Sequence, residues 1–528
     1  MTPPAKKIVV VGGGFAGVYA ARHLERILRP EEAQVSLVNR ENYFVFQPLL
    51  PEVISGSIGL VDTVSPIRRL CARTRLYTRE VESIDLERQI VTLAPAVRPR
   101  SVELSYDCLV LALGTVTDLS GMPGMAEHAI PFRTLGDALR LRNRVLLALE
   151  EADNETDPEF RRHLLTFVVT GGGFSGVEVV AELNDFLRRA ARHFPNLPPR
   201  EIRCVLVHSG EKILPEMSPG LADYAQRILT RRGVELKLKA RVIRATQDSA
   251  VLNTGETIHT RTVVSTVPSG PVPLVASLEC KKEKGKLLAN PFLELEGHQG
   301  RVWVLGDCAS IRMPDGSAAQ PTAQHAVREA RTAAGNIAAA LRGGQQKPFA
   351  FGGLGKLGSL GHHSAVAEVL GIRMSGLPAW FLWRSVYWMK MPGLERKIRV
   401  GLDWMAGLLF GAELVQLRIQ ASDNITAEHF EPGESIFEQG DTGDRLYVIR
   451  KGSVDVLRDG VLVAHLAAGE YFGEMALMST AARTATVRAA EPTDLLAVAK
   501  GDFSKLLANF PEFREGLTDL AMKRTAQP

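Results

Sequence analysis

Gly12, Gly14 and Gly17 stand in the spacing G-x-G-x-x-G directly after the apolar run IVVV, and Gly171, Gly173 and Gly176 repeat the device after TFVVT. In such a turn the first glycine permits the tight bend, the second lets the backbone approach a pyrophosphate, and the third lets helix and strand pack closely. The helix that follows, opening with Phe15 and Ala16, turns its positive N-terminus toward the phosphates. Either turn alone could be a tight glycine bend without ligand. Two copies in strand-turn-helix context point to two dinucleotides, one resident flavin and one exchangeable nicotinamide. Three further carboxylates are candidates for chemistry. Asp307 ends RVWVLGD, at a strand's C-terminal end where ligands bind in open α/β sheets. Glu178 follows the second turn by two residues, and its alternative role is a helix N-terminal carboxylate favoured by the dipole. Glu474 and Arg483, in FGEMALMSTAARTATV, could hold a small anion.

A chain of 528 residues is too long for one core and implies three or four units. The expected fold class is α/β: two Rossmann-like dinucleotide-binding domains, an amphipathic helical segment, and a C-terminal β-roll. The expected divisions are residues 1–120 and 296–345 for the first domain, 121–295 for the nested second, 346–420 for the helical segment and 425–528 for the roll. Hydrophobic content of 45% with 23% charged residues is ordinary globular composition. A formal charge of +4 gives no case for nucleic-acid binding, and no helix-turn-helix is expected after the roll. The five cysteines are scattered without a C-x-x-C pair, so neither a dithiol nor a metal site is expected, and they read as small buried residues in a reducing compartment. The N-terminal MTPPAKKIVVVGGG enters a strand at once, which leads to the expectation of no signal peptide and a cytoplasmic protein.

The phrases GGGFAGVYAA, FQPLLPEV, YDCLVLALG, GGGFSGVEVVAEL, VWVLGD and QPTAQHAVREA together resemble the type II NADH dehydrogenases, single-chain NADH:quinone oxidoreductases, over residues 8–417. The resemblance implies that the first turn, with Gly114 and Asp307, holds FAD and that the second turn holds NADH. It places Glu178 near both rings, handling protons, and Gln324 beside the flavin at the quinone site. Hydride transfer then belongs to the cofactors, while the protein stacks the rings and excludes water. The pattern breaks in three places. Asn39, followed by Arg40, stands where an acid normally accepts the FAD ribose hydroxyls; an amide still accepts a hydrogen bond. His208 stands where an NADH-preferring site carries Glu, so with Ser209 and Lys212 it leads to the expectation of weak NADH preference or acceptance of NADPH. Arg328 replaces a glutamine and brings a permanent charge to the acceptor side. Sulfide:quinone reductase competes less well, because no cysteine follows Cys308.

Four of the five tryptophans, Trp380, Trp383, Trp388 and Trp404, fall in residues 351–420 among basic side chains. The apolar stretches are too short to span a bilayer, so docking on the inner face of the cell membrane is expected, with a dimer interface or a core helix pair as the alternative. Residues 425–525 resemble the cyclic-nucleotide-binding domain, through E-x-G-x-x-G-D, FGEMAL and RTATV. That resemblance makes Gly473 the start of a phosphate cradle, Glu474 the acceptor of the ribose 2′-hydroxyl and Arg483 the partner of the cyclic phosphate. Thr484 leaves cyclic AMP or cyclic GMP open, and a roll that has lost its ligand is the alternative. The combined expectation is a quinone reductase under cyclic-nucleotide control, with a homodimer as a further partner expectation. The competing class is a membrane-associated nucleotide and redox sensor with little turnover.

Overall fold

The computed structural model describes residues 4–94, 101–267, 269–410, 413–417, 425–441, 445–474 and 482–499. The β-branched run Lys6–Val11 lies at the centre of a five-stranded parallel sheet, flanked by Ala33–Asn39 and Cys108–Leu111, with Arg75–Thr78 and Val302–Val304 at the edges. Strands covered on both faces must be apolar throughout, and Ile8 to Val11 and Leu109 to Leu111 are all buried. Register aligns the strand ends: Val11 pairs with both Val38 and Leu111, which gathers Gly12, Asn39 and Ala112 at one edge of the sheet. Helix Phe15–Ile27 covers this edge and packs along Ala323–Arg342, whose start is capped by the Thr322 side chain and whose end is closed by Gly343 at φ 67°.

A second parallel sheet repeats the plan, ordered Ala129–Pro131, Thr262–Ser265, Thr166–Thr170, Arg203–Val207 and Val234–Lys237. Helix Phe174–Ala190 rises from its central strand. Helix Leu135–Asn154 closes the other side, opened by a capping box in which the Thr134 hydroxyl accepts from the Asp137 N–H and the Asp137 carboxylate accepts from the Thr134 N–H. The short antiparallel pair Thr115–Thr117 and Ser269–Pro271 joins the two halves.

Beyond these lies a three-stranded antiparallel sheet, Gly355–Ser359, Ala365–Val369 and Ile372–Gly376, which precedes helices Leu377–Lys390 and Leu394–Leu409. The helices were expected and the sheet was not: its strands are short and Gly-rich, with little alternation to distinguish them from loop. The roll follows as two four-stranded antiparallel sheets around Ile449, Val454, Leu495 and Ala497, so the α/β class with a C-terminal β-roll holds. No helix among the described residues is long and apolar enough to cross a membrane. All five cysteines are free, four of them buried.

Candidate functional site

At the first turn, Gly12 has φ +111°, and a Cβ on Gly17 would lie 1.8 Å from the Gly12 carbonyl oxygen. Both positions therefore exclude any side chain. Gly14 differs, because a Cβ there would meet nothing within 4 Å. The open space lies at the N-terminus of a 13-residue helix with no acid in its first turn, which suits a pyrophosphate. The Gly13 N–H donates to Asn39 Oδ1 at 2.8 Å, and Asn39 Nδ2 donates to the Glu41 carbonyl at 2.8 Å. Asn39 thus braces the turn while keeping acceptor capacity on its oxygen. Arg40 is exposed beside Glu41.

The second turn copies the first. Gly176 stands 1.8 Å, measured to its missing Cβ, from the Gly171 oxygen, and the Gly172 N–H donates to His208 Nδ1 at 3.1 Å. His208 is therefore the structural counterpart of Asn39. Burial holds its pKa below the ordinary imidazole value, so the ring is neutral at pH 7 and brings no negative charge against a 2′-phosphate. Lys212, expected as a phosphate partner, is instead paired with Asp223 at 2.7 Å, and Ser209 is exposed. Near Gly173, Glu216 Oε1 lies 3.9 Å from the position of a Cβ.

Around the first dinucleotide space, Arg133 Nη2 reaches Asp307 Oδ2 at 3.4 Å, and Gly114, at φ +66°, leaves its nearest non-neighbour as Arg133 Nη2 at 3.9 Å from a Cβ. Glu329 is 2% exposed and accepts the Gly306 N–H at 2.7 Å; burial pushes its pKa up to about 7. Arg133 and Glu329 were both missed from sequence. Glu329 lay within a phrase already singled out, and Arg133 sits just before a capping box, but neither local pattern shows what the side chain meets.

Glu178 stands one turn into helix Phe174–Ala190 and is partly buried. It does not serve the helix dipole alone, since its Oε1 accepts the Ser359 N–H at 3.0 Å and the Trp383 Nε1–H at 3.2 Å. Burial pushes its pKa up to about 8, against lowering by those two donors, and nearby Glu52 raises it further. Glu182, one turn further along the same helix, is buried, accepts the Ser55 hydroxyl, and is pushed by burial up to about 7. Glu52 is buried as well, with Arg384 Nη2 at 3.6 Å and Trp404 Nε1 at 2.6 Å. Gln324 spends both ends of its amide on backbone, accepting from the Leu354 N–H and donating to the Gly355 carbonyl, each at 3.1 Å. Arg328 turns neither fully inward nor to solvent: its guanidinium lies 4.0 Å from the Phe351 ring centroid.

In the roll, Arg483 is 4% exposed and donates to the carbonyls of Gly473 and Arg445, each at 2.8 Å, with its guanidinium 4.1 Å from the Phe437 ring centroid. Gly473, Glu474 and Arg483 therefore converge, Glu474 being 2% exposed, while Thr484 is exposed. The rest of FGEMAL, residues 475–477, lies outside the described residues. The roll docks on the redox body through polar contacts: His128 Nε2 meets the His429 backbone N–H at 3.1 Å and carbonyl at 2.8 Å, and Arg244 pairs with Glu431 at 3.3 Å and Arg450 with Glu127 at 3.6 Å.

The C-terminal helices divide their residues by face. Trp380 and Trp383 are buried and Trp404 half-buried, leaving Trp388 as the exposed tryptophan. Arg396 is drawn inward by Asp62 at 3.0 Å. The outward face is aliphatic rather than indole-rich: Phe381, Leu394, Ile398, Leu402, Met405 and Leu409 are 53 to 80% exposed. Tryptophan thus anchors this pair to the body, and the unsatisfied apolar face lies opposite.

The description pyridine nucleotide-disulphide oxidoreductase matches residues 6–330, that of the NDH2 C-terminal domain residues 354–413, and that of the cyclic nucleotide-binding domain residues 427–510. The type II NADH:quinone oxidoreductase NdhA of Mycobacterium tuberculosis is 30% identical over 75% of this chain and 86% of its own. The demethylphylloquinone reductase NdbB of Synechocystis is 32% identical over 77% and 97%. The structure of NDH2 from Plasmodium falciparum in complex with NADH superposes with a TM-score of 0.72 at 18% identity, over 78% of this chain and 99% of that one, a likeness of fold.

An acid whose folded pKa exceeds its unfolded value keeps a proton that the unfolded chain releases, so stability falls as pH rises between the two values. For Glu178 that window runs from 4.5 to about 8. Each such proton steepens the fall by ~1.4 kcal/mol per pH unit. Glu178→Gln is expected to remove one proton's worth of this slope, read by denaturant melts at pH 5 to 8; an unchanged slope contradicts the assignment.

Proposed function

The chain belongs to the pyridine nucleotide-disulphide oxidoreductases and, within them, to the type II NADH:quinone oxidoreductases; from that premise we propose that it passes two electrons from NADH through FAD to a quinone, at a rate set by a cyclic nucleotide in the C-terminal roll. The observation that carries this reading is the pair of matching turns, each with a blocked glycine contact and a bracing acceptor at the next strand's end. FAD, when bound, supplies the two-electron exchange. Gly12, Gly14, Phe15, Ala16 and Gly17 present the helix N-terminus to its pyrophosphate, with Asn39, Arg40, Gly114 and Asp307 around the remainder. Gly171, Gly173, Gly176 and His208 do the same for NADH. Glu178, protonated at neutral pH, holds a proton near the reacting rings, and Gln324 fixes the backbone at Leu354 and Gly355 on the acceptor side.

Because His208 is neutral, discrimination by charge between NADH and NADPH is weak in this reading. The kcat/KM ratio is expected to lie below a hundredfold and to rise at least tenfold in His208→Glu; a hundredfold or greater preference for NADH in the wild type overturns it.

The exposed aliphatic face, next to Lys390 and Arg399, supports peripheral docking on the inner face of the cell membrane, where quinone dissolves. Replacing both Leu402 and Met405 by Glu is expected to abolish flotation with anionic vesicles while leaving NADH oxidation with a water-soluble quinone intact. Equal flotation of variant and wild type contradicts the docking face.

Regulation is supported by connectivity. The Arg445 carbonyl that accepts from Arg483 begins strand Arg445–Lys451, and Arg450 of the same strand pairs with Glu127. Helix Met125–His128 leads through strand Ala129–Pro131 to Arg133, on Asp307. A cyclic phosphate that draws Arg483 away from Gly473 and Arg445 changes the start of that route, and it biases the redox part by its differential affinity for the two arrangements. In titrations with cyclic AMP and cyclic GMP, Arg483→Ala is expected to lose nucleotide binding. The Arg450→Ala, Glu431→Ala double variant should keep binding and lose the rate response. Unchanged wild-type rates despite binding reject the control.

A further inference from the structure

This inference rests on the quinone-reductase reading. Reducing a quinone to its quinol takes two electrons and two protons. NADH supplies the two electrons with one hydrogen nucleus, so one further proton comes from solvent in each turnover. That proton must reach a region where stacked rings and packed helices exclude water, and a line of side chains leads there. Ser57 is half-buried at the surface, and its hydroxyl lies 2.8 Å from that of Ser55, which is 2% exposed. The Ser55 hydroxyl donates to Glu182 Oε1, and the Ser57 hydroxyl lies 3.4 Å from the same oxygen. Glu182 stands four residues beyond Glu178 on one helix, the spacing that puts two side chains on the same face.

The charges of the pocket are matched to this line. Glu52 acts on both Glu178 and Glu182, raising each, and the guanidinium of Arg384 lies at 3.6 Å from Glu52, which also accepts from Trp404 Nε1 at 2.6 Å. Burial raises the Glu52 carboxyl as well, against lowering by Arg384 and the Trp404 donor; Glu52 is thus the acid of the three with a cation beside it, and further negative charge at Glu178 or Glu182 in the same low-dielectric space is costly. Around Glu182 lie Glu52, Ser55, Ser57, Asp185 and Arg189, with Asp185 itself paired with Arg232 at 3.1 Å, and Glu178 stands one turn back along the same face. Around Glu178 lie Glu52, Tyr387, the Ser359 N–H and the Trp383 indole, with Glu182 one turn on.

We propose that Ser57, Ser55 and Glu182 form the proton inlet that reloads Glu178 in each quinone-reducing turnover, while the Glu52–Arg384 pair holds the single negative charge of the pocket. Burial raises both carboxyls, Glu182 up to about 7 and Glu178 up to about 8, so both carry protons near neutral pH, and their placement one helical turn apart on one face sets the path between them. Glu182 acts through Glu178 and is a positioning residue in this sense. Its carboxyl takes a proton from the serine line as it gives one up, and no electron moves through it.

The test uses the full-length holoprotein with Glu182→Gln, which is nearly isosteric, and Ser55→Ala, which keeps the acid. In stopped-flow mixing, flavin reduction by NADH is expected to stay within twofold of wild type in both variants. Reoxidation by a water-soluble ubiquinone analogue at pH 8 should slow at least tenfold in Glu182→Gln and at least threefold in Ser55→Ala, and proton uptake followed with a pH indicator should slow in step. Independently of turnover, infrared difference spectra between pH 6 and pH 9 should show a protonated-carboxyl band that Glu182→Gln removes. Wild-type reoxidation rates in both folded variants, or an unchanged set of carboxyl bands in Glu182→Gln, overturn the inlet. Failure of the wild type to pass electrons to any quinone overturns the underlying reading, and the inlet with it.

Discussion

The carbonyl oxygen of Gly12 lies 1.8 Å from the point that a Cβ of residue 17 would occupy, and Gly171 and Gly176 repeat the distance. Such an approach is open only to backbone without a side chain, and it sets each helix directly over the end of its central strand. From it follow the direction of the first-turn N–H groups and the placement of Asn39 and His208 against the middle glycines. It also places Gly306 against Ala16, with a Cβ on Gly306 3.2 Å from that of Ala16. The carboxylates proposed for the chemistry, Asp307 and Glu178, are positioned relative to these two points rather than to each other.

The C-terminal helices complete what the turns begin. Trp383 donates to Glu178 across 205 positions of sequence and Trp404 to Glu52 across 352. Their inward faces set the environment of Glu52 and Glu178, while their outward aliphatic faces have no partner among the described residues. One pair of helices thus couples the surface that fits a lipid boundary to the groups that hold protons. On the side of the roll, Arg450 pairs with Glu127, and Arg133, a few residues further along the chain, reaches Asp307.

The parts legible in the sequence were those that local chemistry dictates. Gly12, Gly14 and Gly17 announce themselves because the turn admits nothing else, and the β-roll is written in its glycine-punctuated short strands. What a side chain meets across the fold was not legible. Nothing local to Glu182 marks it as buried beneath Ser55, because a single acid on a helix carries no sign of what covers it. Glu52 and Glu329 lay inside phrases already singled out, yet their roles depend on Arg384 and on the Gly306 N–H, which only tertiary packing brings near. The tryptophans looked like interface residues by composition, and the structure turns Trp380 and Trp383 into the body.

The central claim is that the two turns hold a resident flavin and a visiting nicotinamide close enough to exchange two electrons. It is tested most directly by the absorption spectrum of the purified protein without oxygen. The account predicts a yellow protein with one FAD per chain that bleaches on addition of stoichiometric NADH and regains its colour when a quinone follows. A folded, FAD-loaded protein whose spectrum is unmoved by NADH contradicts it.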